Sequence, residues 1–168
     1  MSETYFLHQT PSSLASDLIA LTPLEEGDVV LEAFKGEGAF YNAFPNFVHK
    51  EWCEQSEGRD YTDFKSTAHW VITNPPYRLT VGDKRVNALW LLLDYFSTRV
   101  VKGIGFLIND KCLSTLTPKR LETLAQRGLH LTKMVVCSVK KWRGRYYYIL
   151  FEKREPVDTF QFLLPNYE

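Results

Sequence analysis

The chain has 168 residues, 45% of them hydrophobic and 24% charged, which suits one globular domain with a sizeable core and excludes wholesale disorder. Its 20 basic and 20 acidic residues cancel, so a generally basic protein that coats nucleic acid is excluded, while a local basic patch is not. Cys53, Cys112 and Cys137 lie far apart, with no Cys-x-x-Cys spacing and no paired histidines. That pattern predicts reduced thiols in a cytosol-like compartment and no zinc site or other metal centre. No basic segment followed by an apolar stretch opens the chain, and no apolar run reaches membrane-spanning length. A soluble intracellular, cytoplasmic protein with no membrane association is therefore expected, of cellular or viral (including phage) origin.

In chain order, Thr10-Pro11-Ser12-Ser13 precedes Leu14, Leu18, Ile19 and Leu21 at near-helical spacing. The pattern predicts a helix with Thr10 as N-cap and Pro11 at its first position, ending before Thr22-Pro23. Val29 to Phe34 reads as a buried strand running into Lys35-Gly36-Glu37-Gly38, with a short helix to about Ala43. A strand feeding a Gly-x-Gly turn occurs in nucleotide sites, and also where a turn merely joins strand to helix. A second strand is predicted over Phe47 to Trp52. Glu54 lies just beyond it, 18 residues past Gly36, near the spacing at which a carboxylate meets ribose hydroxyls in dinucleotide folds. Glu51 competes for that role. A polar loop at Gly58-Arg59-Asp60-Tyr61 leads to a helical turn near Thr62 to Ser66.

Trp70 to Thr73 is a short apolar run that stops at Asn74-Pro75-Pro76-Tyr77. Two prolines cannot donate ladder hydrogen bonds, so a strand must end there in a rigid loop. Asn74 offers an amide, Pro75 a carbonyl and Tyr77 a flat face, the groups needed to hold a planar molecule with an exocyclic amino group. Arg78 to Arg85 reads as a polar loop carrying Arg78, Lys84 and Arg85. It is either a solvated connection or, beside the double-proline loop, a phosphate contact. A helix over Asn87 to Ser97, a strand over Gly103 to Ile108 and a helix from Thr117-Pro118 to Gln126 follow, the last closed by Gly128. Leu131 to Lys140 and Tyr146 to Lys153 then read as an antiparallel hairpin whose tip carries Trp142, Arg143 and Arg145. Those three either touch nucleic acid or form a solvated turn. Phe160 to Leu163 suggests a small terminal strand.

The alternation predicts an α/β fold: a mostly parallel sheet between helical layers, with an antiparallel C-terminal hairpin at its edge. Gly36-Glu37-Gly38, Glu54, Asp60 and Asn74 to Tyr77 then share one rim, where open α/β sheets bind ligands.

These residues resemble a known family. Glu32-Ala33-Phe34-Lys35-Gly36-Glu37-Gly38-Ala39-Phe40 is similar to motif I, and Asn74-Pro75-Pro76-Tyr77 to motif IV, of the S-adenosylmethionine-dependent adenine-N6 DNA methyltransferases. Thr10-Pro11 resembles their entry segment, motif X. The resemblance covers nearly the whole chain and implies a Rossmann-like three-layer methyltransferase sandwich, a minimal catalytic domain with no separate target-recognition domain. It implies that Thr10, Pro11, Glu32, Gly36 and Gly38 hold the methionine side of S-adenosyl-L-methionine, and that Phe34 and Asn74 also belong to the cofactor site. Glu54 would hold the ribose, and Asp60 and Tyr61 the adenine. Lys35 departs from the pattern, where a small residue is usual.

The resemblance further implies methyl transfer to the N6 of adenine, with Asn74, Pro75, Pro76 and Tyr77 as the catalytic loop. Arg78, Lys84, Arg85, Trp142, Arg143 and Arg145 would contact the nucleic acid, DNA in the first instance. RNA adenine is a close rival, and a related family with the same Asn-Pro-Pro-Tyr loop methylates protein glutamine amides. A non-catalytic methyltransferase-like subunit and a nicotinamide-dependent dehydrogenase are the readings of other classes. A recognition subunit or a homodimer would supply the specificity that a few loops cannot.

Overall fold

The computed structural model describes residues 9–155. Four strands run parallel: β1 (Val29–Glu32), β2 (His49–Trp52), β3 (Ala68–Thr73) and β6 (Val100–Asn109). β8 (Tyr146–Glu152) adds antiparallel to β6, and β7 (His130–Cys137) antiparallel to β8, giving the order β2-β1-β3-β6-β8-β7. The predicted mostly parallel sheet with an antiparallel edge hairpin is therefore observed. β4 (Arg78–Val81) and β5 (Lys84–Asn87) form a separate two-stranded ribbon.

Alternate side chains of the central strands enter opposite layers, as the pleat requires. Leu31, Val71, Phe106, Ile149 and Phe151 face a core covered by α3 (Ala88–Ser97) and α4 (Pro118–Gln126). Val30, Trp70, Ile72, Leu107, Tyr148 and Leu150 face the other core, beneath α1 (Ser12–Ala20) and α2 (Ala39–Ala43). Both faces are covered, which explains why these strands read as apolar runs rather than alternating ones. Cys53, Cys112 and Cys137 are buried thiols, none of them in a disulfide.

Several predicted boundaries move for identifiable reasons. Pro11 is the N-cap of α1 and Ser12 its first residue, so Thr10 lies one position outside the helix. β1 ends at Glu32, because Ala33 and Phe34 already turn towards the Gly36 loop. β2 starts at His49. The helical turn expected near Thr62 to Ser66 is a 3-10 turn over Tyr61–Asp63, started earlier by the Asp60 capping box. Residues 78–85, expected as a loop, are mostly ribbon. Val81 pairs with Lys84 across Gly82-Asp83, and Gly82 has φ +59°, which suits the first central residue of a two-residue hairpin turn. β7 stops at Cys137 instead of Lys140, so residues 138–145 form a longer connection than expected. The strand suggested at Phe160 to Leu163 lies outside the described residues.

Two glycines of β6 set how closely the layers approach. A Cβ on Gly105 would lie 2.1 Å from the Tyr148 hydroxyl, and one on Gly103 would lie 2.3 Å from the Phe151 carbonyl and 2.5 Å from the Trp70 ring. The Phe151 carbonyl belongs to the neighbouring strand and cannot swing aside. Gly103→Ala is therefore expected to cost about 1–3 kcal/mol or more through overpacking, measured as a lower denaturation midpoint. A variant as stable as the parent would contradict this packing.

Candidate functional site

Parallel pairing fixes the site. Val30 pairs with Trp70 and Leu31 with Val71, so the carboxyl ends of β1 and β3 lie side by side. The Thr73 hydroxyl donates to the Phe34 carbonyl at 3.4 Å across that boundary. Beyond it opens a cleft of about 1240 Å³, lined by Glu32, Phe34, Gly36, Glu54, Asp60, Tyr61 and the whole of Asn74 to Arg78. Thr10 and Arg85 also line it. Pro11, Gly38, Lys84, Trp142, Arg143 and Arg145 are not among its lining residues. Pro11 and Gly38 act one step back, as N-caps of α1 and α2, with Gly38 at φ +82°.

The carboxylates of the cleft are held by backbone. Glu32 is 2% exposed and accepts from the Tyr41 N–H at 2.6 Å, at the start of α2. Burial outweighs that donor and the one from Phe40, and pushes the carboxyl up to about 8. Glu54 accepts from the Gly36 N–H at 2.8 Å and from the Ser56 N–H and hydroxyl at 3.1 and 2.7 Å. Burial alone would raise this second carboxyl, but the Ser56 and Gly36 donors prevail and hold it below its ordinary value. Glu51, the competing candidate, is instead paired with Arg59 at 3.1 Å. Two carboxyls of the cleft thus differ in protonation near neutral pH because their environments differ.

An aromatic wall stands beside them. The Tyr61 ring lies 5.2 Å from Phe34 and 5.2 Å from Tyr95, the latter edge-on. Asp60 shapes the turn that presents Tyr61, accepting from the Thr62 N–H and hydroxyl. Lys35, the departure from the motif, pairs with Glu57 at 2.7 Å and lies 3.9 Å above the Trp52 ring. Its charge is therefore taken up at the wall of the cleft.

At the opposite wall, Asn74 Nδ2 donates to the Thr10 hydroxyl at 3.2 Å. This orients the amide, with Oδ1 at the end turned away from Thr10. Pro75 is buried and Tyr77 half-buried. The Tyr77 carbonyl accepts from the Ala88 N–H at 3.1 Å, and its ring packs 6.5 Å from Tyr146. Burial raises the Tyr77 phenol pKa well above its usual range, so it stays neutral across the physiological range.

Sequence reasoning missed the wall contributed by α3, where Leu91, Asp94, Tyr95 and Thr98 line the cleft with Arg99 and Arg127. The signal was present: those four residues follow helical spacing on a stripe distinct from the core stripe of Leu89, Leu92, Leu93 and Phe96. Gln9 was also missed, and only its neighbour Thr10 was singled out. Among the described residues no helix is long and apolar enough to cross a membrane.

No family model and no curated protein matches the chain. Solved structures do. A protein described as a class I S-adenosylmethionine-dependent methyltransferase from Listeria monocytogenes aligns with TM-score 0.71 and 13% identity, over 95% of this chain and 64% of that one. A protein described as the modification subunit of a type I restriction enzyme from Vibrio vulnificus aligns with TM-score 0.63 and 11% identity, over 88% of this chain and 45% of that one. Trm5b from Pyrococcus abyssi gives TM-score 0.60 and 14% identity, over 86% and 50%. This chain thus spans between about half and two-thirds of those chains. At such identities the likeness is one of fold: the chain has the Rossmann-like, three-layer class I methyltransferase fold.

Glu32 supplies a test that needs no ligand. Its folded pKa of about 8 exceeds the ordinary 4.5, so between those values the folded chain binds more protons than the unfolded one. Stability must fall as pH rises through that window. Glu32→Gln, which keeps an acceptor for the Tyr41 N–H, is expected to flatten the fall, seen as a smaller difference between urea midpoints at pH 5.5 and 8.5. An unchanged difference would contradict a protonated Glu32.

Proposed function

We propose that the chain transfers a methyl group from S-adenosyl-L-methionine to the exocyclic N6 of adenine in nucleic acid, with DNA as the favoured polymer. The observation that carries this reading is the placement of Asn74-Pro75-Pro76-Tyr77 on one wall of a cleft whose other wall holds Glu32, Gly36 and Glu54. The donor set fits the proposed cofactor. Glu32 would face the methionine ammonium, the Glu54 carboxylate the ribose hydroxyls, and Phe34 with Tyr61 the adenine ring. Asp60 would hold the Tyr61 turn, and Gly36 leaves the backbone open to close approach. Once bound, the cofactor supplies a methyl group on an electrophilic sulfonium.

The chain's own residues do the rest by positioning. The lone pair of an aromatic amine is delocalised into the ring, which makes it a weak nucleophile. Asn74 Oδ1 and the Pro75 carbonyl would accept its two N–H hydrogens, favouring a pyramidal nitrogen and localising that pair. Tyr77 would stack on the base, and Pro76 holds the loop rigid between them. Catalysis is then chiefly orientation and charge stabilisation. A base within a duplex must first leave the stack, at a cost of a few kcal/mol. Arg78, Lys84 and Arg85 on the β4–β5 ribbon, with Arg143 and Arg145 beyond β7, would meet the phosphates.

The test is transfer of labelled methyl groups to DNA, RNA and protein pools, followed by nucleoside analysis. Label in N6-methyladenine of DNA supports the full reading, label in RNA or glutamine redirects the substrate, and no label in any pool contradicts the reaction. Asn74→Ala is expected to lower transfer by at least about 100-fold while leaving affinity for S-adenosylhomocysteine nearly intact. Thr10→Val, which removes the acceptor for Asn74 Nδ2, is expected to lower kcat more than it raises KM, with Thr10→Ser restoring it. Near-parental turnover in Asn74→Ala would refute the assignment.

A further inference from the structure

Residues 138–145 join β7 to β8 on the same rim as the acceptor loop. β8 runs antiparallel to β6, and its first residue, Tyr146, pairs with Asn109, the last residue of β6. The Asp110 N–H donates to the Arg145 carbonyl at 3.0 Å, tying the connection to that strand end. Four of the six residues from Lys140 to Arg145 are cations, and Lys140, Lys141, Arg143 and Arg145 are all exposed. None of the four forms an ion pair with another described residue. In a chain of zero net charge, such a concentration of one sign is a local footprint for a polyanion.

Trp142, in the middle of this run, turns inward. It is half-buried, its ring lies 4.6 Å from that of Tyr146, and it packs against the core beneath α1 and α2. Tyr146 is 3% exposed and lies 6.5 Å from Tyr77. Trp142, Tyr146 and Tyr77 form one aromatic file from the basic connection to the acceptor loop. A Trp placed to stack on a base would be expected to present its face to solvent.

We propose that the β7–β8 connection is a phosphate-binding arm, with Lys140 and Lys141 contributing alongside Arg143 and Arg145, and that Trp142 is a positioning residue linking the arm to Tyr77 through Tyr146. This rests on the reading of nucleic acid as substrate and goes beyond it. It assigns two lysines, and it gives Trp142 an anchoring role in place of base stacking. The β4–β5 ribbon starts directly after Tyr77, so both basic elements adjoin the acceptor loop. The two basic elements would together grip the backbone of the strand that carries the reacting nucleotide.

The test uses the full chain with S-adenosylhomocysteine and fluorescent DNA and RNA oligonucleotides, single-stranded and duplex, titrated over a range of salt. The combined variant Lys140→Ala, Lys141→Ala, Arg143→Ala is expected to bind more weakly on every sequence and to lower the slope of log affinity against log salt by about 2–3. Its affinity for S-adenosylhomocysteine should not change. Trp142→Ala is expected to keep that slope and the oligonucleotide KM while kcat falls roughly 10- to 100-fold, with Trp142→Phe restoring most of the loss. Retention of the full salt slope by the combined variant would overturn the arm. Loss of oligonucleotide affinity in Trp142→Ala with kcat intact would overturn the anchoring role. No binding of any oligonucleotide by the parent chain would instead overturn the substrate reading on which both depend.

Discussion

The cleft depends on the parallel pairing of β1 with β3. This register brings two sequence segments some forty residues apart to adjacent strand ends, one ending in a buried carboxyl and glycine turn, the other in the double-proline loop. A one-residue slip would turn every side chain of a strand to the opposite layer. Here that would exchange Leu31 with Val30 and Val71 with Trp70 between two well-filled cores. The register is therefore set by packing far from the chemistry. Gly103, Trp70, Asp28 and Lys102 add to that packing: the Trp70 indole donates to Asp28 at 3.0 Å, and Asp28 pairs with Lys102 at 2.8 Å.

Charge is arranged in two zones around this cleft. Glu54 and Asp60 line it on the side of β1 and β2, beside a Glu32 that burial keeps protonated, while Arg78 and Arg85 line it beyond the acceptor loop and Lys84 and the cations from Lys140 to Arg145 stand exposed on flanking elements. Zero net charge conceals that separation. Carboxylates on the side of β1 and β2 suit a small cationic donor and cations around the acceptor loop suit a polyanion, which is the division of labour that the proposed reaction requires. The cavity, at about 1240 Å³, exceeds the usual volume of a small-ligand pocket. Orientation at the junction is delegated to neutral groups: Thr10 sets the Asn74 amide, and Tyr146 backs the Tyr77 ring.

The central part of this design was legible in the sequence because its signals are local. A strand ended by two prolines, a glycine turn after a strand and a carboxylate 18 residues beyond Gly36 each have a backbone reason, and together they named one rim. What escaped depended on tertiary context. The ribbon over residues 78–87 was hidden by its polar composition, although Gly82-Asp83 between alternating Leu79, Val81 and Val86 carried a hairpin signal. The inward turn of Trp142 follows from Tyr146 across the connection, and no local pattern reports it. The raised carboxyl of Glu32 follows from burial under α2, which sequence spacing does not reveal. Lys35, which departs from the motif, pairs with Glu57 and lies over the Trp52 ring, contacts that no local pattern reports.

The central claim is that one cleft holds the methyl donor and the acceptor loop face to face. Its most direct measurement is a crystal structure of the chain with S-adenosylhomocysteine bound. The expected result places the amino-acid end of the ligand at Glu32, its ribose at Glu54 and its sulfur towards the Asn74 amide. A ligand seated away from Asn74, or a chain that fails to bind it at millimolar concentration, would contradict the claim.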